Sequence, residues 1–158
     1  MMTTIKVNNI EYKIEFSFDA AETEEFVQKL FRFMTGSYLA ENSEDMDNLT
    51  AKDVIFGTTN MFSELPKLCA LGFYAGLIQN HGFSKEESNS IMRSYMKEND
   101  LSYNDSFAFL KECMEKDGFF KLIGLDKVME GMTEKEVQPE AEAKKVPQDH
   151  KKKQTGTK

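Results

Sequence analysis

Residues 67–87, KLCALGFYAGLIQNHGFSKEE, indicate a helical fold because they contain the pattern of one helix and the beginning of the next. Four apolar residues of this segment lie three or four positions apart, which is the spacing of one helix face: Leu68, Leu71, Ala75 and Ile78. Gly82 can adopt the left-handed conformation that commonly ends a helix. The sequence therefore predicts a helix over residues 67–80 that stops at Gly82.

A second signal in the same segment is the capping box that opens the next helix. Ser84 can accept a hydrogen bond from the third residue of the helix, and Glu87 can reciprocate. This helix is predicted to end at about Glu98. Apolar residues at the same spacing predict further helices over residues 20–34, from Thr50 to Pro66, over 103–116 and over 119–129.

The sequence also indicates which residues begin, bend or end these helices. Asp19 with Glu22 is predicted to cap the first helix, and Gly36 to end it. Pro66 should kink or break the second helix, because proline has no amide hydrogen and clashes with the preceding turn. Gly72 and Gly76 lie four residues apart, which favours a close helix–helix approach in the core.

The chain begins with a period-two pattern that predicts a β-hairpin. Apolar and aromatic residues alternate with polar ones in two runs: Ile5 and Val7, then Ile10, Tyr12, Ile14 and Phe16. Asn8 and Asn9 lie between the runs, and asparagine tolerates the left-handed conformation of a tight turn. The exposed edge of such a hairpin could pair with another copy, so a homo-oligomer is possible.

The character of the sequence changes after Met132. Residues 133–158 contain few apolar side chains, two prolines and an excess of lysine over acidic residues. Such a segment buries too little surface to offset its ordering entropy. We therefore expect a mainly α fold: an N-terminal β-hairpin followed by a bundle of about five to six helices over residues 1–132, and a disordered charged tail over 133–158.

The composition of the chain excludes several classes of partner and compartment. The net charge of −7 argues against nucleic acid and against an anionic membrane surface as partners. There is no signal peptide pattern and no apolar run of about 20 residues, so the cytoplasm is the expected compartment. Cys69 and Cys113 lie among apolar residues and are interpreted as buried thiols rather than a disulfide.

Motifs for catalysis, metals and cofactors are weak. His81 precedes Gly82 at a predicted helix end, where a cation interacts favourably with the helix dipole. The acidic stretch 41–48 lacks the glycine and the ligand register of a calcium loop. No phosphate-binding glycine loop is present. We expect no enzyme activity, no metal and no cofactor. The alternative is an enzyme whose carboxylates are dispersed in the sequence and are brought together by the fold.

The order of these elements resembles the tail assembly chaperones of long-tailed (siphovirus-type) bacteriophages and prophages of Gram-positive bacteria. Residues 5–16 resemble the opening hairpin of that family, 65–77 its central helix, and 81–87 its turn into the following helix. The resemblance covers most of residues 2–132, and its motifs are generic in themselves. An unrelated cytoplasmic helical adaptor or regulatory protein remains the alternative.

The resemblance implies a function in virion assembly. Such chaperones hold the tape measure protein and keep it soluble in the host cytoplasm until tail tube subunits polymerise around it. A programmed frameshift makes a longer form that recruits the tail tube protein, and this chain would be the short form. Lys151–Lys153 can be encoded by a run of A, as at a slippery site, or can simply be a solubilising basic tail.

The abundance of Phe and Met suggests which residues would hold a client. Thirteen Phe and ten Met without Trp supply apolar surfaces that adapt to different helix stripes. Each of these residues can equally belong to the core. The candidate contact residues lie between Met61 and Tyr74 and after Gly118: Met61, Phe62, Leu65, Phe73, Tyr74, Phe119, Phe120 and Ile123.

Overall fold

The first two elements form an antiparallel hairpin, as predicted. The computed structural model describes residues 2–41 and 47–137. Strands β1 (Thr3–Val7) and β2 (Ile10–Ile14) pair so that Val7 lies opposite Ile10. Asn8 and Asn9 both have positive φ, at 49° and 63°, which is the geometry of a two-residue hairpin turn.

The predicted helix over residues 20–34 is wrong as a single element. The structure has a short helix α1 (Phe18–Ala21) and a longer helix α2 (Glu24–Thr35). Asp19 lies inside α1, so it cannot form the predicted capping box. The Thr23 hydroxyl instead donates to the Asp19 carbonyl oxygen at 3.1 Å, a local bond that competes with helix continuation. Gly36 ends α2 in the left-handed conformation, which confirms that prediction.

A short 3-10 helix (Ser37–Leu39) leads to the longest element, α3 (Ala51–His81). Its 31 residues span about 46 Å. Thr50 caps its start through a capping box with Asp53. The helix continues through Pro66, so of the predicted kink or break the break does not occur. Proline removes one backbone hydrogen bond, but the apolar residues after it pack in the core.

Two 14-residue helices follow with the bounds that the sequence predicts, after Gly82 ends α3 in the left-handed conformation. Helix α4 (Lys85–Glu98) begins with the predicted capping box, in which the Glu87 amide donates to Ser84 Oγ at 3.2 Å. Helix α5 (Tyr103–Lys116) also begins with a capping box, formed by Ser102 and Asp105.

The predicted last helix over residues 119–129 is also two helices. Helix α6 (Phe119–Leu122) is separated from α7 (Leu125–Val137) by Gly124, which has a φ of +78°. Helix α7 extends five residues past the predicted end of the helical body. The remainder of the predicted tail, residues 138–158, lies outside the described residues, as do residues 42–46 of the acidic stretch.

The second half of α3 forms the centre of the core. The hairpin, α2, α4 and α5 pack around it, and the Phe16 ring lies 5.9 Å from Phe26 and 5.5 Å from Phe119. Glycine permits the closest contacts. A Cβ at Gly72 would lie 2.8 Å from Leu110 of α5, as the predicted helix–helix approach requires, whereas Gly76 faces Ile14 of the hairpin. The mainly helical architecture with an N-terminal hairpin is thereby confirmed.

Candidate partner-binding surface

The eight candidate contact residues do not form one surface. Three of them, Leu65, Phe73 and Phe119, have exposed fractions of 2% or less and belong to the core. A partner cannot reach them in this conformation. The sequence could not separate them from surface residues, because their helices carry apolar side chains on more than one face.

The other five candidates are accessible to different degrees and lie on different elements. Met61 and Phe62 belong to the first half of α3, and Phe62 is 49% exposed. Tyr74 is half-buried further along the same helix, where the Lys85 ammonium lies 5.9 Å from its ring. Phe120 and Ile123 are half-buried and pack against the core at α6. Phe62 is therefore the only largely exposed member of the predicted set.

The structure shows exposed apolar residues next to Phe62 that the candidate set omitted. Val54, Ile55 and Phe56 are 43%, 66% and 50% exposed. Apolar residues and one threonine recur here at helical spacing, which is why the sequence pattern could be read as a core face: Val54, Ile55, Thr58, Met61, Phe62 and Leu65. A further signal was available: residues 54–63 contain no charged side chain in a chain that is 30% charged.

Five residues in the first half of α3 line an open concavity of about 440 Å³ on the outer side of the helix: Val54, Ile55, Thr58, Thr59 and Phe62. We call this set the α3 stripe. Large side chains lie at its two ends and the two threonines lie between them. Thr59 Oγ1 donates to the Ile55 carbonyl oxygen at 2.8 Å, so its hydroxyl already has a partner within the helix. A partner that covers Thr59 therefore leaves no unpaired hydroxyl at that residue.

The opposite side of the same half-helix is fixed to the rest of the protein. Gly57 is buried against the 3-10 helix, and a Cβ there would lie 2.7 Å from Leu39 Cα and 2.8 Å from the Tyr38 carbonyl oxygen. Further along, Lys29 of α2 forms an ion pair with Glu64 and lowers the pKa of that carboxyl. The first half of α3 is thus anchored on one side and open on the other.

Charges at the two ends of the stripe are engaged within the chain. The Asp53 carboxylate accepts hydrogen bonds from the Thr50 amide at 2.9 Å and the Thr50 hydroxyl at 2.6 Å, which lower the pKa of Asp53. The Lys52 ammonium lies 5.7 Å from the centre of the Phe56 ring. Together with the Lys29–Glu64 pair, these contacts leave a locally neutral, apolar surface.

Potentially reactive side chains elsewhere in the protein make structural contacts. Burial raises the pKa of the Cys69 thiol to about 12, so it is not a ready nucleophile. His81 Nε2 accepts a hydrogen bond from the Lys13 amide at 2.9 Å. His81 lies in the last turn of α3, as predicted, and this hydrogen bond links that helix to the hairpin. Within residues 2–41 and 47–137, no group of three or more metal-ligating side chains occurs.

A polar cluster lies between α2 and α4. The Glu25 carboxylate contacts the ammonium groups of Lys67 and Lys85 at 3.0 Å each. Hydrogen bonds from Lys67 and Lys85 lower the pKa of Glu25 from 4.5 to about 2. Because its three members come from α2, α3 and α4, the cluster connects those helices.

Comparison of the chain with protein-family models, with curated proteins and with solved structures finds no match. In the part of the chain that the structure describes, no helix has the length and apolar character needed to cross a membrane.

Proposed function

We propose that this chain is a non-catalytic binding protein that covers an amphipathic helix of a client protein during assembly, as a phage tail assembly chaperone does. The observation that carries the proposal is the α3 stripe, in which large apolar side chains remain exposed on a helix whose other side is anchored. The order of elements, with an N-terminal hairpin before a helical body, agrees with the resemblance to that family.

The energetics favour a partner on this surface. Fully burying one large apolar side chain contributes about 1.5–3 kcal/mol relative to leaving it in water. Val54, Ile55 and Phe62 are each 43–66% exposed, so a partner that covers them recovers part of that free energy. A contiguous exposed apolar surface is also a hallmark of interaction sites. A helix presenting its own apolar face is the complementary shape.

The client in this proposal is the tape measure protein, a long helical protein with apolar stripes that would aggregate without cover. Repeated weak contacts along one client would sum through effective concentration, so each contact surface can be small. A frameshifted longer form would recruit the tail tube protein. The host cytoplasm is the proposed compartment.

Co-expression tests the proposal. The chain is produced together with a tape measure protein, and the soluble fraction of the client is measured. The wild type is expected to keep the client soluble, whereas Phe62→Glu, which places a charge on the stripe, should lose that ability. Ile10→Glu is the matched control, because Ile10 is an equally exposed apolar residue at the hairpin turn.

Two results contradict the proposal. In the first, the client stays insoluble when it is co-expressed with the wild type. The chain would then be a helical adaptor that uses the same surface for a different partner. Alternatively, Phe62→Glu and Ile10→Glu could both retain full activity, which would remove the α3 stripe from the mechanism.

A further inference from the structure

We propose that the client helix crosses α3 over Thr58 and Thr59, with Ile55 on one side of the crossing and Phe62 on the other. This inference rests on the proposed function and adds the residues that determine how a helix can dock. It assigns a specificity role to two small side chains, whereas the large apolar residues supply the contact area.

The spacing of the stripe fits the backbone of a helix. Ile55 and Phe62 are seven residues apart, which is about 10 Å along the helix axis. The Cα atoms of an α-helix lie on a cylinder about 5 Å across. The backbone of a client helix laid across α3 therefore fits between these two side chains, and the concavity between them is the space that it would fill.

The residues at the crossing allow close approach. Small side chains at a helix crossing let the two backbones come near each other, and Thr58 and Thr59 are the small residues of the stripe. Covering Thr59 does not strand a donor, because its hydroxyl bonds to the Ile55 carbonyl oxygen. A larger residue at this position would fill the concavity and hold the client away.

Charge and area favour a client helix over a second copy of this chain. A stable dimer buries about 800 Å² per partner, far more than two turns of one helix can offer. Two copies would also bring together chains that each carry a net charge of −7. The uncharged stretch 54–63 within this acidic chain suits an apolar helix face flanked by basic residues.

Binding of a defined probe tests the crossing. The probe is a fluorescein-labelled 18-residue helical peptide with Leu on one face and Lys on the other, and fluorescence anisotropy gives its Kd for the full chain. Thr59→Leu is expected to weaken binding about tenfold despite adding apolar surface, because it overfills the crossing. Thr59→Ala, which preserves the concavity, should bind like the wild type.

Gln79→Leu is the matched control, since it introduces the same side chain at an exposed site in the second half of α3. Circular dichroism checks that each variant folds. Equal or tighter binding by Thr59→Leu overturns the crossing. If Phe62→Ala weakens binding while Thr59→Leu does not, the stripe binds helices but the crossing point is wrong. If the wild type binds neither the probe nor the tape measure protein, the proposed function fails as well.

Discussion

Ser88 shows how a single buried polar atom limits stability. Its side chain is fully buried in α4, and its hydroxyl has no hydrogen-bond partner within the described residues. An unsatisfied buried hydroxyl is unfavourable, and alanine is also the better helix former. We expect Ser88→Ala to raise the free energy of unfolding by about 1 kcal/mol, measured by urea denaturation.

Ser106 provides the control for this prediction. It is equally buried, but its hydroxyl donates to the Ser102 carbonyl oxygen at 3.0 Å. Ser106→Ala should therefore gain less stability than Ser88→Ala, or lose some. The reverse order would show that the Ser88 hydroxyl has a partner in solution.

Glu25 makes stability depend on acidity. Its pKa falls from 4.5 to about 2 in the folded protein, because Lys67 and Lys85 hold its charged form. A lowered folded-state pKa gives stabilisation that is present above pH 4.5 and is lost as the pH falls from 4.5 toward 2. The Glu25 side chain is 42% exposed, so solvent screening reduces the expected contribution to about 1 kcal/mol.

Comparing the wild type with Glu25→Gln isolates this effect. Urea denaturation should show the wild type more stable at pH 7, and the difference should disappear near pH 2. Glu22→Gln, at an exposed position before α2, is the control for loss of a surface charge. A stability difference that does not change with pH would contradict the role of the Glu25 cluster.

At the scale of elements, the two halves of α3 differ in how firmly they are held. In residues 67–81 most side chains facing inward are buried, whereas Gly57 is the only fully buried residue between Ala51 and Glu64. Pro66 also leaves the Phe62 carbonyl without a donor from that position. We expect amide hydrogen exchange to be about tenfold or more faster in 55–64 than in 67–81. Equal protection in both halves would show that the difference in burial between them does not control local opening.

The sequence predicted most elements because their signals are local. The Asn8–Asn9 turn, the Ser84 capping box and the glycines at helix ends act within a few residues of where they occur. The errors have identifiable causes. The helix break at Gly124 was missed because Phe119 to Met129 continues an apolar pattern. The tendency of Pro66 to break its helix was overestimated because the core packing of the residues after it was not visible in the sequence.

At the scale of the whole molecule, the contact surface was only partly predictable. Periodicity identifies which residues share a helix face but not which face the fold covers. Phe73 and Phe119 are therefore core residues, while Ile55 is 66% exposed. Of the candidate contact residues, only Phe62 belongs to the α3 stripe. The absence of charge between Val54 and Ser63 was the sequence feature that carried this information.

The most direct test of the central claim is amide hydrogen exchange of the full chain, alone and in complex with a tape measure protein. If the α3 stripe covers a client helix, exchange should slow in residues 54–62 on binding, in the half-helix that is least protected in the free protein. Slowing confined to other elements, such as the hairpin or α7, with unchanged exchange at 54–62, would contradict the account.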